Sequence, residues 1–168
     1  MDQDFSEYQP TRLWKRLPIE RREAVAESFW NDEQSTEQQV EAIAAIAARM
    51  KFRTKSVFAL PIEKRVRYLA TLPAISDSIA ARALVAFHLE RQRPMMSAFL
   101  DALGIKHEDG LIAEETASKP DAEALQKAAA DLATKFPPED VSLYFSTLVS
   151  QDPETWGGLA EQSPVSSQ

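Results

Sequence analysis

At 168 residues, with 44% apolar and 27% charged positions and a formal net charge of −7, the chain has the size and balance of a packed globular protein rather than a disordered one. It contains no cysteine, which excludes disulfides, thiolate nucleophiles, iron–sulfur clusters and the common structural zinc sites. Its longest uninterrupted apolar run, Ala42 to Ala48, falls far short of the roughly 20 residues that a membrane-spanning helix needs.

Residues 1–9 are acidic and polar, carrying Asp2, Asp4 and Glu7, and read as a flexible tail without the basic and apolar regions of an export signal. A cytoplasmic protein that does not enter a membrane is expected. Residues 10–156 read as one all-helical domain, because glycine is scarce, strong helix formers fill the long segments and period-two alternation is essentially missing. No strand is expected.

Leu17-Pro18-Ile19-Glu20 opens an amphipathic run in which Ala26, Phe29 and Trp30 share a face. Ser35 or Thr36 is placed to cap the next helix, with Gln38 or Gln39 completing a capping box and Val40, Ile43, Ala44, Ala47 and Met50 forming its stripe as far as about Phe52. Leu60-Pro61-Ile62-Glu63 opens another. Ser76 caps a helix lined by Ile79, Ala80, Ala83, Leu84 and Phe87, which Pro94 ends. Met95 or Met96, Phe99, Leu100 and Leu103 line the following helix, and Gly104 stands where a left-handed residue closes it, bringing Ile105 onto Leu100. The charged 105–120 connection, containing Gly110, reads as a possible seam with room for one short helix. Pro120 and Asp121 open a helix bearing Leu125, Ala128, Ala129 and Leu132, and a final long helix begins at Pro137. Residues 157–168 read as a second flexible tail.

An echo links three of these starts: Leu17-Pro18-Ile19-Glu20, Leu60-Pro61-Ile62-Glu63 and Phe136-Pro137-Pro138-Glu139. Laid from Leu60 and from Phe136, the last two also agree at Tyr68/Tyr144, Thr71/Thr147 and Leu72/Leu148. Unequal spacing argues against a regular solenoid, and a shared start signal explains the echo as well as common ancestry does.

Charge is segregated. From Arg49 to Arg93 there are ten basic residues against three acidic ones, and from Lys106 to the end four against twelve. Arg49, Lys51, Arg53, Lys55, Lys64, Arg65 and Arg67 are candidates for binding an anion or a nucleic acid. The competing account is that Arg49 to Lys55, like Arg91 and Arg93, complement the negative ends of helices. Nucleic acid is the less favoured partner because the chain as a whole is acidic.

Imidazole chemistry would need His88 or His107, the two histidines of the chain. His88, with Arg91 beyond it, lies on an apolar helix and reads best as a structural histidine. His107 adjoins Glu108 and Asp109 in a carboxylate-rich stretch continued by Glu114 and Glu115, but the Glu-x-x-His and His-Glu-x-x-His patterns of helical metal sites are missing. No metal or cofactor is expected. Trp14, Trp30, Trp156, Phe29 and Tyr68 could anchor a partner, and core packing accounts for them more simply, as it does for Met95 and Met96.

The expected fold is all-α: a multihelical array of roughly seven to ten helices set as helical hairpins, in either a repeat-like superhelix or an orthogonal bundle. The expected function is a non-catalytic helical scaffold or protein-interaction module, its partner another protein. The alternatives are a helical enzyme with a site around His88 and Arg91 or His107 and Glu108, and anion or nucleic-acid binding through residues 49–93. The sequence leaves the oligomeric state open.

Overall fold

Ten α-helices form in the computed structural model, which describes residues 5–112 and 120–162, the side chains of 161–162 excepted. The protein is all-α and multihelical. Gln9–Glu90 makes one compact unit, and Met1–Tyr8 with Arg91–Gln168 a second. The sequence reading is a single domain over 10–156 with a possible seam at 105–120, and the boundary between the two units lies at the end of a helix. No glycine or proline punctuates that boundary until Pro94, so composition gives no sign of it.

The Gln9–Glu90 unit contains α1 (Pro10–Arg16), α2 (Ile19–Asn31), α3 (Thr36–Met50), α4 (Thr54–Phe58), α5 (Ile62–Thr71) and most of α6 (Asp77–Arg91). Helices α2 and α5 pack together, the first burying Val25, Phe29 and Trp30 and the second Val66, Leu69 and Ala70. Both start on proline. Pro18 and Pro61 hold the N-cap at φ −63° each, and their carbonyls accept the Arg22 and Arg65 amides at 2.9 and 3.2 Å. A proline here lacks only a donor that a helix start would leave unpaired. The Arg22 guanidinium then ties the two helices, donating to the carbonyls of Leu17 at 3.2 Å and Ala70 at 3.1 Å.

Helix α3 departs from expectation in two ways. Its buried face carries Ala42, Ile43, Ile46 and Ala47, while Val40, Ala44 and Met50 are exposed. Alanine on every side makes the stripe ambiguous, and the isoleucines decide which side turns inward. The expected capping box is also not formed, because the Ser35 hydroxyl donates to Asp32 and accepts from Arg82 Nε at 3.0 Å. Gln39 instead turns back to donate to the carbonyls of Phe29 (2.8 Å) and Asp32 (2.9 Å), closing the end of α2. Arg82 Nη2 reaches Asp32 at 3.1 Å. Burial works to raise the Asp32 carboxyl, and the Ser35 hydroxyl, Gln34 amide and Arg82 guanidinium outweigh it, holding it below its ordinary range. Helix α3 ends on Lys51 in the left-handed conformation at φ 58°, with the Phe52 amide returning to the Ala47 carbonyl at 2.9 Å. Ser76 caps α6 as expected, accepting the Ile79 amide at 3.2 Å.

The second unit holds α7 (Arg93–Leu103), α8 (Ala122–Lys135), α9 (Pro138–Gln151) and α10 (Pro153–Trp156). Gly104 at φ 71° closes α7, and the Ile105 amide returns to the Leu100 carbonyl at 3.0 Å, as its sequence predicts. Asp121 caps α8 by accepting the Ala124 amide at 2.7 Å. Phe99 centres an aromatic cluster, 5.0 Å from Phe145, 5.7 Å from Tyr144 and 6.0 Å from Trp156 between ring centroids. Burial pushes the Tyr144 phenol well above its ordinary range, so it stays protonated.

One expectation fails in this unit. A small antiparallel hairpin, β1 (His107–Glu108) with β2 (Leu111–Ile112), stands where no strand was expected. Its turn is Asp109-Gly110, both at positive φ, a pair suited to a two-residue hairpin loop. A Cβ on Gly110 would come within 2.9 Å of Met96 Cβ, so only glycine lets the turn lie against α7. Of the two expected tails, residues 1–4 and 163–168 lie outside the described residues. The 3-10 turns Ser6–Tyr8 and Gly157–Gln162 bury Tyr8, Leu159 and Ala160, the Tyr8 hydroxyl donates to the Ala160 carbonyl at 3.4 Å, and the Phe5 ring sits over Gly157. Too short to show a period, these packed segments carry no helical pattern to detect.

Candidate interaction site

The two histidines singled out from sequence lie in different surroundings. His88 is 2% exposed within the core of α6, while Arg91 at the helix end lies in solvent. Burial, helped by the nearby Arg21 charge, lowers His88 to about 3, so it is neutral at physiological pH. His107 Nε2 donates to Asp101 Oδ1 at 2.7 Å, and its Nδ1 accepts the Gly110 amide at 3.1 Å. Both ring nitrogens are used to pin the hairpin to the end of α7. Glu108 is exposed on the hairpin, and Glu114 and Glu115 lie outside the described residues. Among the described residues no group of three or more histidine, aspartate or glutamate side chains could hold a metal ion.

Of the basic candidates, six are exposed: Arg49 near the end of α3, Lys51 and Arg53 in the link to α4, Lys55 on α4, and Lys64 and Arg67 on α5. None of these six side chains has an ion-pair or hydrogen-bond partner among the described residues. The seventh, Arg65, is half-buried, with its guanidinium 5.0 Å above the Trp30 ring, and serves packing. Helix-dipole compensation covers Arg49 and Lys51, and Lys55 falls within the last turn of the five-residue α4. Lys64 lies in the first turn of α5, at the end where a cation is locally unfavourable.

Apolar side chains stand between these charges. Phe58 is 55% exposed and Phe52 41%, with Met50 and Ile62 each more than a third exposed. The Phe52 ring meets the half-buried Tyr68 edge-on at 6.1 Å between centroids, which joins the end of α3 to α5. Tyr68, Glu63, Lys64 and Arg67, adjacent on one side of α5, line a cleft of about 210 Å³. The other large aromatics considered as anchors, Trp14, Trp30, Trp156 and Phe29, are core residues, as are Met95 and Met96.

Sequence reasoning found the cations and missed the rings between them. The sign was faint: Lys51 and Arg53 flank Phe52 just past the stripe of α3, while Met50 keeps the three-and-four spacing of Ile43, Ile46 and Ala47 and is exposed all the same. Apolar residues that do not fit the buried stripe, bracketed by charge, mark a surface. No family model, curated protein or solved structure matches the chain. No helix among the described residues is long and apolar enough to cross a membrane.

Proposed function

We propose that this chain is a non-catalytic helical interaction module that docks another protein on the face formed by the end of α3, α4 and α5. The observation that carries this reading is the exposure of Phe52 (41%) and Phe58 (55%) among six cations that have no side-chain partner among the described residues. Full burial of such a ring is worth about 1.5–3 kcal/mol, and a partner that covers the exposed half of each recovers roughly half of that. Concentrated like charge steers an oppositely charged surface towards that apolar centre. The buried neutral His88 and the fully engaged His107 support a non-catalytic role over an enzymatic one. A cysteine-free chain suits a reducing, cytosolic setting.

The test is a photo-crosslinking amino acid placed at Phe58 and, as a control, at the exposed Lys127 on α8, with the protein expressed in its source cells. Discrete protein adducts from position 58 and none from 127 are expected. Adducts from 127 alone, or the same adducts from both, would refute the reading.

A further inference from the structure

We infer that His107 is a proton-operated latch: while its ring is neutral it holds the Asp109-Gly110 turn against α7, and taking up a second ring proton releases that turn. Nδ1 accepts the Gly110 amide at 3.1 Å, which needs a free lone pair, so the ring proton sits on Nε2 and is donated to Asp101 Oδ1 at 2.7 Å. An imidazolium carries hydrogen on both nitrogens. It keeps the Asp101 bond but loses the Gly110 bond, because Nδ1–H then faces N–H. Protonation thus leaves the ring on α7 and sets the turn free of it.

The hairpin depends on that tie because it has little else. Its strands pair His107 with Ile112 and Glu108 with Leu111 and no further, too few pairs for a hairpin to stand by itself in water. Asp109 also holds φ 51°, which few residues other than glycine adopt unaided. Order therefore comes from the side chains that fasten the turn to α7. Besides His107 there is Arg93, whose guanidinium donates to the Asp109 carbonyl at 3.0 Å and stands 3.7 Å from its carboxylate. That ion pair is weak, since the Asp109 side chain is mostly in water. Gly110 is buried, so losing the Nδ1 acceptor leaves its amide unsatisfied, and moving out to water restores a partner.

The chain entering and forming the hairpin carries Lys106, Glu108 and Asp109, all exposed, and α7, the helix it packs on, carries Arg93 and Asp101. Asp101 meets the ring in both states, so it favours the second proton without holding the turn. Histidine changes charge between about pH 5 and 8, and His88, held at about 3, stays neutral there, which leaves His107 as the imidazole that acts. Release uncovers α7. A Cβ on Gly110 would meet Met96 Cβ at 2.9 Å, and Met96 is 7% exposed beneath the turn. Lifting the turn adds Met96 to Leu111 and Ile112, already exposed, so in acid the chain presents more apolar surface at the start of α7 than at neutral pH.

The experiment is NMR relaxation and titration of the full chain from about pH 7.5 to about pH 5, following the His107 ring, the Gly110 amide, the Met96 methyl and the amides of α9. The Gly110 order parameter is expected to fall from about 0.85 to below about 0.6 as the ring titrates, with the Met96 methyl shifting at the same midpoint and the α9 amides unmoved. His107→Asn keeps a side-chain oxygen close to the place of Nδ1 that accepts the amide at any pH, so its turn should stay ordered throughout. His107→Ala should be loose already at neutral pH. A Gly110 amide that remains ordered after the ring has titrated would overturn the latch, and so would a ring still neutral at about pH 5. An ordered turn in His107→Ala, or acid loosening of His107→Asn, would overturn it as well. Loss of the α9 signals at the same midpoint would assign the change to global unfolding and refute the latch.

Discussion

Helices α5 and α9 are built to one plan at their ends and to different plans between. Proline holds the N-cap at φ −63° in α5 and −59° in α9. Glutamate follows two residues later, and near the far end Thr71 and Thr147 donate to the carbonyls four residues back at 2.8 and 2.7 Å. Leu72 and Leu148 are both buried. Between these shared positions α5 carries Lys64, Arg65 and Arg67 where α9 carries Asp140, Val141 and Leu143. Every residue from Val141 to Val149 is buried, whereas α5 keeps Lys64 and Arg67 in water and Tyr68 half-covered. The shared motif fixes where a helix starts, and the residues inside it decide whether the helix serves a core or a surface.

The largest test of this contrast is the tyrosine pair. Tyr144→Ala should cost about 3–5 kcal/mol in chemical denaturation, because it opens a cavity against Phe99 and Phe145. Tyr68→Ala should cost no more than about 1 kcal/mol, and equal losses would erase the distinction between the two helices. Next comes acidity, which should act through the unit that contains α5. His88 is held at about 3 in the folded chain against an ordinary value of 6.5, so the unfolded chain binds the extra proton across that interval. Stability is then full above about pH 6.5 and falls by about 1.4 kcal/mol for each pH unit below it until about pH 3. Thermal melts from pH 7 to 4 should show this slope, and His88→Leu should flatten it.

A smaller difference is expected at the threonines. Thr147→Ala should cost about 1 kcal/mol and Thr71→Ala a few tenths, since the first hydroxyl is buried and the second is in solvent. Comparable in size to the threonine difference, and of opposite sign, is Lys51→Gly. Relieving a left-handed lysine at φ 58° should raise stability by about 0.5–1 kcal/mol while removing one cation from the docking face. A melt and the crosslinking yield from position 58 on that one variant separate the two effects.

The sequence was most readable where local chemistry alone decides. The Gly104 ending, the Ser76 and Asp121 caps and the proline starts follow from backbone geometry within a few residues, and all are found. Where tertiary partners compete, local reading fails: Ser35 abandons its cap for Asp32 and Arg82, and alanine-rich α3 turns a different side inward. The hairpin was legible in Asp109-Gly110 but lacked flanking alternation long enough to stand out. At the candidate face the cations were visible as a run of charge, but the exposure of Phe52 and Phe58 depends on which side of α3 and α4 the rest of the unit covers. Periodicity cannot report that.

The complete enclosure of Val141–Val149 in α9 bears on how the protein can diverge. Any enlargement or charge between Val141 and Val149 must be absorbed by neighbours on every side, so that stretch should change slowly. The solvent side of α5 bears no such constraint. A lineage could exchange one binding specificity for another by altering Lys64, Arg67 or Tyr68 while the helix beneath them keeps its place.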